Sequence, residues 1–88
     1  MFRVEWLMSA QNELASIWMQ ADSTTREAIT AAVQSIDQWL QTDPHLQGES
    51  RERGRRILFA PPLGIDFEFD FRARVVTVLH VWRFTKRQ

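Results

Sequence analysis

The chain has 88 residues, with no cysteine and with 11 acidic against 11 basic side chains. A chain of this length forms one domain, which we expect to cover residues 1–88, and without cysteine it has neither a disulfide framework nor a cysteine-based zinc site. The first residues carry charge inside their apolar stretch, unlike a signal peptide, and no apolar run approaches the ~20 residues of a membrane span, so we expect a soluble cytoplasmic protein.

The balanced net charge conceals two halves of opposite sign. Residues 1–50 contain two arginines against seven acids, a net charge of −5, whereas residues 51–88 contain nine basic residues against four acids, a net charge of +5. Such a protein can present a basic face to a nucleic acid or an acidic partner. Acidic helices followed by loops that happen to be basic would give the same asymmetry, so both interpretations stay open.

The first half of the chain predicts a strand and two helices. Phe2 to Leu7 alternates apolar and charged side chains, which is typical of a strand with one buried face. Apolar residues then recur at helical spacing from Ala10 to Ala21, with Ser9 as the expected N-cap. The capping box Thr24-x-x-Glu27 predicts the start of a second helix, which Pro44 ends because the residue before a proline is pushed out of the helical region.

The second half predicts a loop followed by three strands. The polar segment 45–54 is expected to be a loop, the next strand covers residues 56–60, and a proline-rich turn occupies 61–64. Residues 65–71 alternate between apolar and acidic side chains, so their acidic side should face water or a partner. The nearly continuous apolar run at 75–82 predicts a strand in the centre of the sheet. The expected fold is α+β in the order β-α-α-β-β-β, a four-stranded, largely antiparallel sheet with a two-helix hairpin on one face.

Basic residues gather around the second and the last predicted strands. Guanidinium groups bind phosphate through paired hydrogen bonds, so an arginine cluster can hold a nucleic acid. A solvated loop is an equally good interpretation, because Glu49 and Glu52 are interleaved with the arginines. The candidate target-binding residues are Arg55, Arg56, Arg83, Lys86 and Arg87. Whether the two basic clusters share one surface is not decided by the sequence.

His80 is the candidate acid or base, with Arg83 beside it as a phosphate contact. Histidine titrates near neutral pH and serves as a general acid or base in RNA cleavage. The interpretation that we favour is a strand histidine that is only half-buried or hydrogen-bonded. Trp82 differs from the other tryptophans, which fit core positions, because it stands beside Arg83 at a strand end.

Asp66, Glu68 and Asp70 occupy one side of one predicted strand. Three acids at this spacing raise the question of a metal site, but no histidine or fourth ligand stands at a diagnostic distance along the chain. The chain also lacks a glycine-rich phosphate loop and a nucleophile motif, so we expect no metal, no cofactor and no small-molecule substrate. A solvated face, or a face that receives basic residues from a partner, is the better interpretation.

Taken together, these residues resemble the RelE/ParE superfamily, the toxins of type II toxin–antitoxin modules, which are often labelled plasmid stabilisation proteins. The similarity extends from about Phe2 to Phe84. It rests on the following short motifs in chain order: Phe2-x-Val4-x-Trp6, Ala10-x-x-Glu13-Leu14, Ile36-Asp37, Asp43-Pro44, Gly48-Glu49-Ser50-Arg51, Arg56-x-Leu58, Pro62-Leu63 and Val78-Leu79-His80-Val81-Trp82-Arg83. Their order and spacing are more specific to the fold than to an activity.

The resemblance implies a small bacterial toxin that a cognate antitoxin protein neutralises. RelE-like members cleave mRNA on the ribosome with basic residues, often with a tyrosine or histidine, on the open face of the sheet. ParE-like members inhibit DNA gyrase and have no known hydrolytic site. Here there is no tyrosine, the only lysine is Lys86, and the third strand carries acids where ribonuclease members usually carry an arginine.

These departures decide which branch we favour. The residues that match a ribonuclease site are Arg55, Arg56, His80 and Arg83. We therefore expect a toxin that binds an intracellular target such as DNA gyrase, with a ribosome-dependent mRNA endoribonuclease or a non-toxic relative as the alternatives. We expect the antitoxin to contact Asp66, Glu68 and Asp70 with basic side chains.

Overall fold

The computed structural model describes residues 1–84. Two helices and five strands follow one another in the order β1 (Arg3–Trp6), α1 (Met8–Gln20), α2 (Ser23–Thr42), β2 (Glu49–Ser50), β3 (Arg55–Ala60), β4 (Leu63–Asp70) and β5 (Val75–Arg83). Short 3₁₀ turns at Pro44–Leu46 and Glu52–Gly54 flank β2. The expected tail, with the candidates Lys86 and Arg87, lies outside the described residues.

The strands form one sheet in the order β1-β5-β4-β3-β2. β1 is parallel to β5, and the other neighbours are antiparallel. The expected α+β fold and the central place of the last strand are confirmed. The strand count is five instead of four, because Glu49 and Ser50, expected in a loop, pair with Ile57 and Arg56 of β3.

The core lies between the sheet and the two helices, which pack on the same face. Its buried side chains from the helices are Ala10, Ile29, Ala32, Ile36 and Leu40, and those from the strands are Leu58, Ala60, Leu63, Ile65, Phe67, Val76, Val78 and Val81. We call the opposite face, which neither helix covers, the open face. Neither helix of the described chain is long and apolar enough to cross a membrane.

A β-bulge in β5 decides which residues reach the open face. Phe67 pairs with Val78 but Asp66 pairs with His80, so Leu79 is an extra residue in β5. Before the bulge the even-numbered Val76 and Val78 are buried, whereas after it the odd-numbered Val81 is buried. Because one inserted residue inverts the alternation of a strand, His80 and Trp82 lie on the side away from the core.

The helix starts differ from the predicted caps. β1 continues into α1 so closely that Leu7, whose N–H still bonds to Val78 in β5 (3.0 Å), is the N-cap, and Ser9 lies inside the helix. In α2 the cap is Asp22 instead of Thr24, since the Asp22 carboxylate accepts from the Thr25 N–H at 2.8 Å. This backbone bond, then the Thr25 hydroxyl and the charge of Arg83, hold the pKa of Asp22 below its ordinary value.

The turn before β4 is shorter than predicted, and the turn after it begins one residue earlier than predicted. Leu63 and Gly64, expected in the turn, pair with Arg83 and Trp82 as the first residues of β4. The strand ends at Asp70, whose carboxylate accepts from the Ala73 N–H at 3.0 Å and closes the turn to β5.

Candidate functional site

Three rows of side chains cross the open face from β3 through β4 to β5. In the strand register they are Arg55–Glu68–Thr77, then Ile57–Asp66–His80, and then Phe59–Gly64–Trp82. Directly opposed residues on neighbouring strands point to the same side of a sheet. The open face therefore has a charged end, a mixed centre and an aromatic end.

Asp66 and Arg55 form an ion pair in the centre of the open face. The Arg55 Nε donates to Asp66 Oδ1 at 3.2 Å, and its Nη2 donates to Oδ2. Asp66 is only 5% exposed, whereas the neighbouring acids Glu68 and Asp70 are exposed. The acidic side of β4 was expected to face water or a partner, and Asp66 does not face water, because the side chain of Arg55 crosses from the next row and covers it. The same pair occupies two donors of Arg55.

Arg56 lies on the opposite side of β3 and holds the preceding loop. Its Nε donates to the Gln47 carbonyl at 2.7 Å and its Nη2 to the Gly48 carbonyl at 3.1 Å. Gly48 has φ of +67°, and a Cβ at this position would meet the Ile57 carbonyl oxygen at 2.2 Å, so the loop packs directly against β3. Arg56 is thus engaged in backbone contacts that position the loop.

His80 contacts α1 through Glu13, which belongs to one of the family motifs but to which the sequence assigned no role in a site. Its Nδ1 lies 3.4 Å from Glu13 Oε1, and the same oxygen accepts from the Val81 N–H at 3.3 Å. One turn earlier, the Ser9 hydroxyl donates to the Leu79 carbonyl at 3.3 Å. Beyond the end of β1, two side chains of α1 therefore form hydrogen bonds with the backbone groups of Leu79 and Val81 at the outer edge of β5. The i, i+4 spacing of Ser9 and Glu13 was the only signal available.

Arg55 and Arg83, one from each of the two basic clusters and both on described strands, lie far apart along the sheet. Arg83 pairs with Leu63 at the start of β4, whereas Arg55 pairs with Glu68 five positions further along the same strand. At about 3.3 Å per residue, this separation is roughly 17 Å. Arg83 also follows Val81 on the helix side, and its charge acts on Asp22 at the start of α2. His80 and Arg83 consequently do not converge on one reacting position.

An aromatic cluster occupies the other end of the open face. Phe59 lies edge-on to Trp82, with ring centroids 6.2 Å apart, and to Phe84 at 5.1 Å. The Trp82 indole lies against the backbone of Gly64, where a Cβ would meet ring atoms at 2.6–2.7 Å. Phe59 is 53% exposed. The aromatic cluster (Phe59, Trp82 and Phe84) is therefore a fixed apolar surface that a partner can reach.

A second apolar surface lies on the helix side of the sheet. A groove of about 770 Å³ runs between α1, α2 and β1, and its lining residues are Val4, Trp6, Gln11, Leu14, Ala15, Trp18, Met19, Ile29, Thr30, Val33 and Gln34. The Trp6 indole donates to Asp37 Oδ1 at 3.1 Å beside the groove. We call this surface the helix groove.

The outer edge of β1 borders the helix groove. In the parallel pairing, Arg3 and Leu7 donate their N–H groups inward to Arg74 and Val78. Because alternate residues of a strand direct their N–H and C=O groups to opposite edges, those of Val4 and Trp6 point outward. The Trp6 carbonyl accepts from Gln11 Nε2 at 2.9 Å.

Acids and histidines are the side chains of this chain that could hold a metal ion. No group of three or more such side chains converges on one point within residues 1–84. Glu68 and Asp70 lie on the open face beside Thr77 and Val75, and no histidine pairs with either of them in the register.

Comparison with known proteins gives structural relatives only. No family model and no curated protein sequence matches the chain. It is similar to the chromosomal ParDE TA system from P. aeruginosa, with 18% identity, a TM-score of 0.74, and coverage of 97% of this chain and 98% of that one. It is also similar to the RelBE2 toxin–antitoxin complex from Mycobacterium tuberculosis, with 16% identity, a TM-score of 0.75, and coverage of 94% and 91%. A third similar structure is the intact E. coli RelBE toxin–antitoxin complex, with 16% identity and a TM-score of 0.62 over 98% of this chain.

These similarities extend over nearly the whole of each chain, so they define the class of fold. The chain has the fold of the RelE/ParE toxins, as its residue pattern indicated. At this level of identity the similarity carries the fold alone, and the activity must be argued from this chain's own side chains.

Proposed function

We propose that this protein is the toxin of a type II toxin–antitoxin pair, neutralised by a cognate antitoxin protein, and that it acts by binding an intracellular target such as DNA gyrase. The observation that carries the proposal is the combination of a RelE/ParE fold, matched over nearly the whole chain, with the engagement of Arg55, Arg56 and His80 by other groups of the fold. The fold supports the toxin class. The engagement of the basic side chains supports a binding mechanism over hydrolysis.

Three of the four ribonuclease candidates have another partner within the fold. Arg55 is paired with Asp66, Arg56 with the Gln47 and Gly48 carbonyls, and His80 with Glu13. Nucleolytic cleavage requires an acid, a base and phosphate contacts that converge on one phosphodiester. The separation of Arg83 from Arg55 along the sheet opposes such convergence.

The helix groove supports the antitoxin part of the proposal. An amphipathic segment with apolar side chains at i, i+3, i+4 and i+7 matches an apolar groove between two helices. An extended segment would instead use the outward backbone groups of β1, with alternate side chains in the same groove. Both modes bury the exposed Trp18 and Met19, which are 39% and 76% exposed in this chain.

The growth test addresses the toxin class. Expression of the chain alone in a bacterium should slow growth, and co-expression of the short gene adjacent to its own should restore it. Unchanged growth at verified soluble expression would contradict the proposal and favour a non-toxic relative that only binds its partner.

A matched pair of substitutions tests the helix groove. Ala15 lines the groove and is exposed, so Ala15→Glu places a charge in it at little cost to folding, whereas Ser16→Glu places the same charge on the next residue, outside the groove. Ala15→Glu should weaken antitoxin binding at least about tenfold, as expected for an unpaired charge at a desolvated contact. Calorimetric titration measures this. Equal affinities of the two variants would assign antitoxin binding to another surface.

The exposed acids Glu68 and Asp70 remain our candidates for electrostatic contact with the antitoxin. Reversing Glu68 to lysine should weaken the complex, and more so at low salt, because screening reduces interactions between exposed charges. Identical affinities of the Glu68→Lys variant and the unchanged chain at low salt would remove these acids from the interface.

The alternative function is a ribosome-dependent mRNA endoribonuclease. The observation that favours it is the exposed His80 beside Glu13, a pair from which a histidine can exchange a proton. In that case His80 would be the acid or base and Arg83 would contact the phosphate. Cleavage of mRNA at codon positions on translating ribosomes would identify this branch.

A further inference from the structure

The Arg55–Asp66 pair has a consequence for what the open face can bind. A guanidinium group holds phosphate and carboxylate with the same planar fork of two parallel N–H donors. In this chain the fork of Arg55 is directed at both oxygens of Asp66. The carboxylate of Asp66 therefore takes the place that a phosphate would take on Arg55.

Burial makes this pair hard to open. The Asp66 side chain is 7% exposed, whereas the Arg55 side chain is 41% exposed. A phosphate group that engaged Arg55 would leave the Asp66 carboxylate buried and unpaired, and breaking a buried ion pair from one side is strongly unfavourable. A solvated phosphate contact returns less than this cost, since exposed ion pairs stabilise only weakly.

The surroundings act in the same direction. Glu68 stands opposite Arg55 in the register, and Asp70 lies two residues further along the same strand. Both acids are exposed, so their charges repel a phosphodiester chain that approaches the charged end of the open face.

We propose that Asp66 is the specificity-determining residue of the open face, which it closes to single-stranded nucleic acid by occupying the phosphate-binding fork of Arg55. An amide in place of the Asp66 carboxylate would keep one acceptor oxygen for Arg55 but replace the other by an N–H donor, so one arm of the guanidinium fork would be released and could contact a phosphate at the centre of the open face. This inference does not rest on the proposed toxin function, because it concerns binding by the purified chain.

The test compares Asp66→Asn with Asp70→Asn. Both remove one negative charge from the same face, and asparagine at position 70 can still accept from the Ala73 N–H. The probe is a fluorescein-labelled oligouridine RNA, with affinity read by fluorescence anisotropy. Asp66→Asn should bind about tenfold more tightly than Asp70→Asn, the scale of one charge-assisted hydrogen-bonded contact. Its salt slope should be steeper by about 0.7, the value for one additional phosphate contact on a single strand.

A second substitution separates phosphate binding from a structural effect. In the Asp66→Asn, Arg55→Gln double variant the gain in affinity and in salt slope should disappear, since the freed guanidinium is gone. Equal binding by Asp66→Asn and Asp70→Asn, or a gain that persists in the double variant, would overturn the proposal.

The unchanged protein provides a measurement that does not depend on the stability of a variant. The Arg55 Nε–H resonance in a ¹⁵N NMR spectrum should not shift during titration with oligouridine, because the group already donates to Asp66. A shift of that resonance that saturates with RNA would show that phosphate reaches Arg55 in spite of Asp66, and the proposal would be wrong.

Discussion

Aromatic side chains are buried on the helix-covered face of the sheet and partly exposed on the open face. On the helix-covered face Phe67 is completely buried in the core. On the open face Phe59 is 53% exposed and packs edge-on against Trp82 and Phe84. A fully buried aromatic ring stabilises the fold with nearly all of its apolar surface. A half-exposed ring still has apolar surface in contact with water, and burying that surface against a partner would stabilise a complex.

Several charged groups of the second half of the chain are paired within the fold. On the open face Arg55 is paired with Asp66, and at the edge of β5 His80 contacts Glu13. Two accessible apolar surfaces lie beside these pairs, the aromatic cluster on the open face and the helix groove on the other side of the sheet. Nine basic residues in the second half of the chain therefore do not by themselves define a basic binding face, because Arg55 and Arg56 already have partners within the fold.

Truncation of one aromatic ring on each face is the largest test of this comparison. Phe67→Ala should lower the free energy of unfolding by about 3–5 kcal/mol, the usual cost of removing a buried aromatic side chain, whereas Phe59→Ala should cost less than about 1 kcal/mol. Urea denaturation followed by tryptophan fluorescence measures both. Similar losses for the two variants would mean that another part of the protein covers the open face in solution.

Gly64 tests whether the aromatic cluster is held in place. A Cβ at this position would lie 2.6–2.7 Å from the Trp82 ring, and the ring can yield only by leaving the strand backbone. Gly64→Ala should therefore destabilise the fold by about 1–3 kcal/mol, the range for overpacking. In a Trp82→Ala background the same substitution should cost little, and this double-mutant cycle isolates the contact. A cost that is unchanged in that background would trace the effect to the backbone of β4.

Local periodicity explains why the fold could be predicted. Ile29, Ile36 and Leu40 recur at helical spacing and are all buried, and the apolar alternation of β4 does reach the core. The bulge at Leu79 could not be predicted from the sequence. Residues 75–82 are nearly all apolar, so there is no alternation of apolar and polar residues that an extra residue would interrupt. The two-residue β2 was missed for a different reason, since its pairing depends on β3 and not on its own residues.

The site was harder to predict because its contacts join distant segments. Alternation correctly put Asp66 on the side away from the core, but its burial depends on Arg55, which is 11 residues earlier and belonged to another cluster in the sequence. The contact between Glu13 and His80 spans 67 residues. The helix groove requires the relative placement of α1, α2 and β1, on which residue patterns carry no information.

The cap of α2 gives a smaller and pH-dependent effect on the helix side. The pKa of Asp22 is lowered in the folded chain, first by the Thr25 backbone bond, so its contribution to stability is present above the ordinary value of 3.8 and is lost as the pH falls through the lower folded value. Asp22→Ala should thus lower the Tm at pH 7, and the two melting curves should converge in strong acid. Asp22→Asn, which keeps the acceptor, is the control. A Tm difference that is independent of pH would assign the effect to packing.

The smallest effect that we expect is that of His80→Ala on toxicity. If His80 were a general acid or base, its removal would reduce mRNA cleavage by about 10²–10⁴-fold. We expect instead no ribosome-dependent cleavage and undiminished growth inhibition, because within residues 1–84 His80 contacts Glu13 and Arg55 is paired with Asp66, so these groups do not converge on one phosphate. Growth inhibition should be reduced when Arg83, Lys86 and Arg87 are replaced together, because these three basic residues could bind an acidic surface of a protein or nucleoprotein target. Codon-position cleavage that disappears in His80→Ala would establish the ribonuclease function. In that case, binding to the ribosome would have to break the Arg55–Asp66 pair or bring Arg83 close to His80.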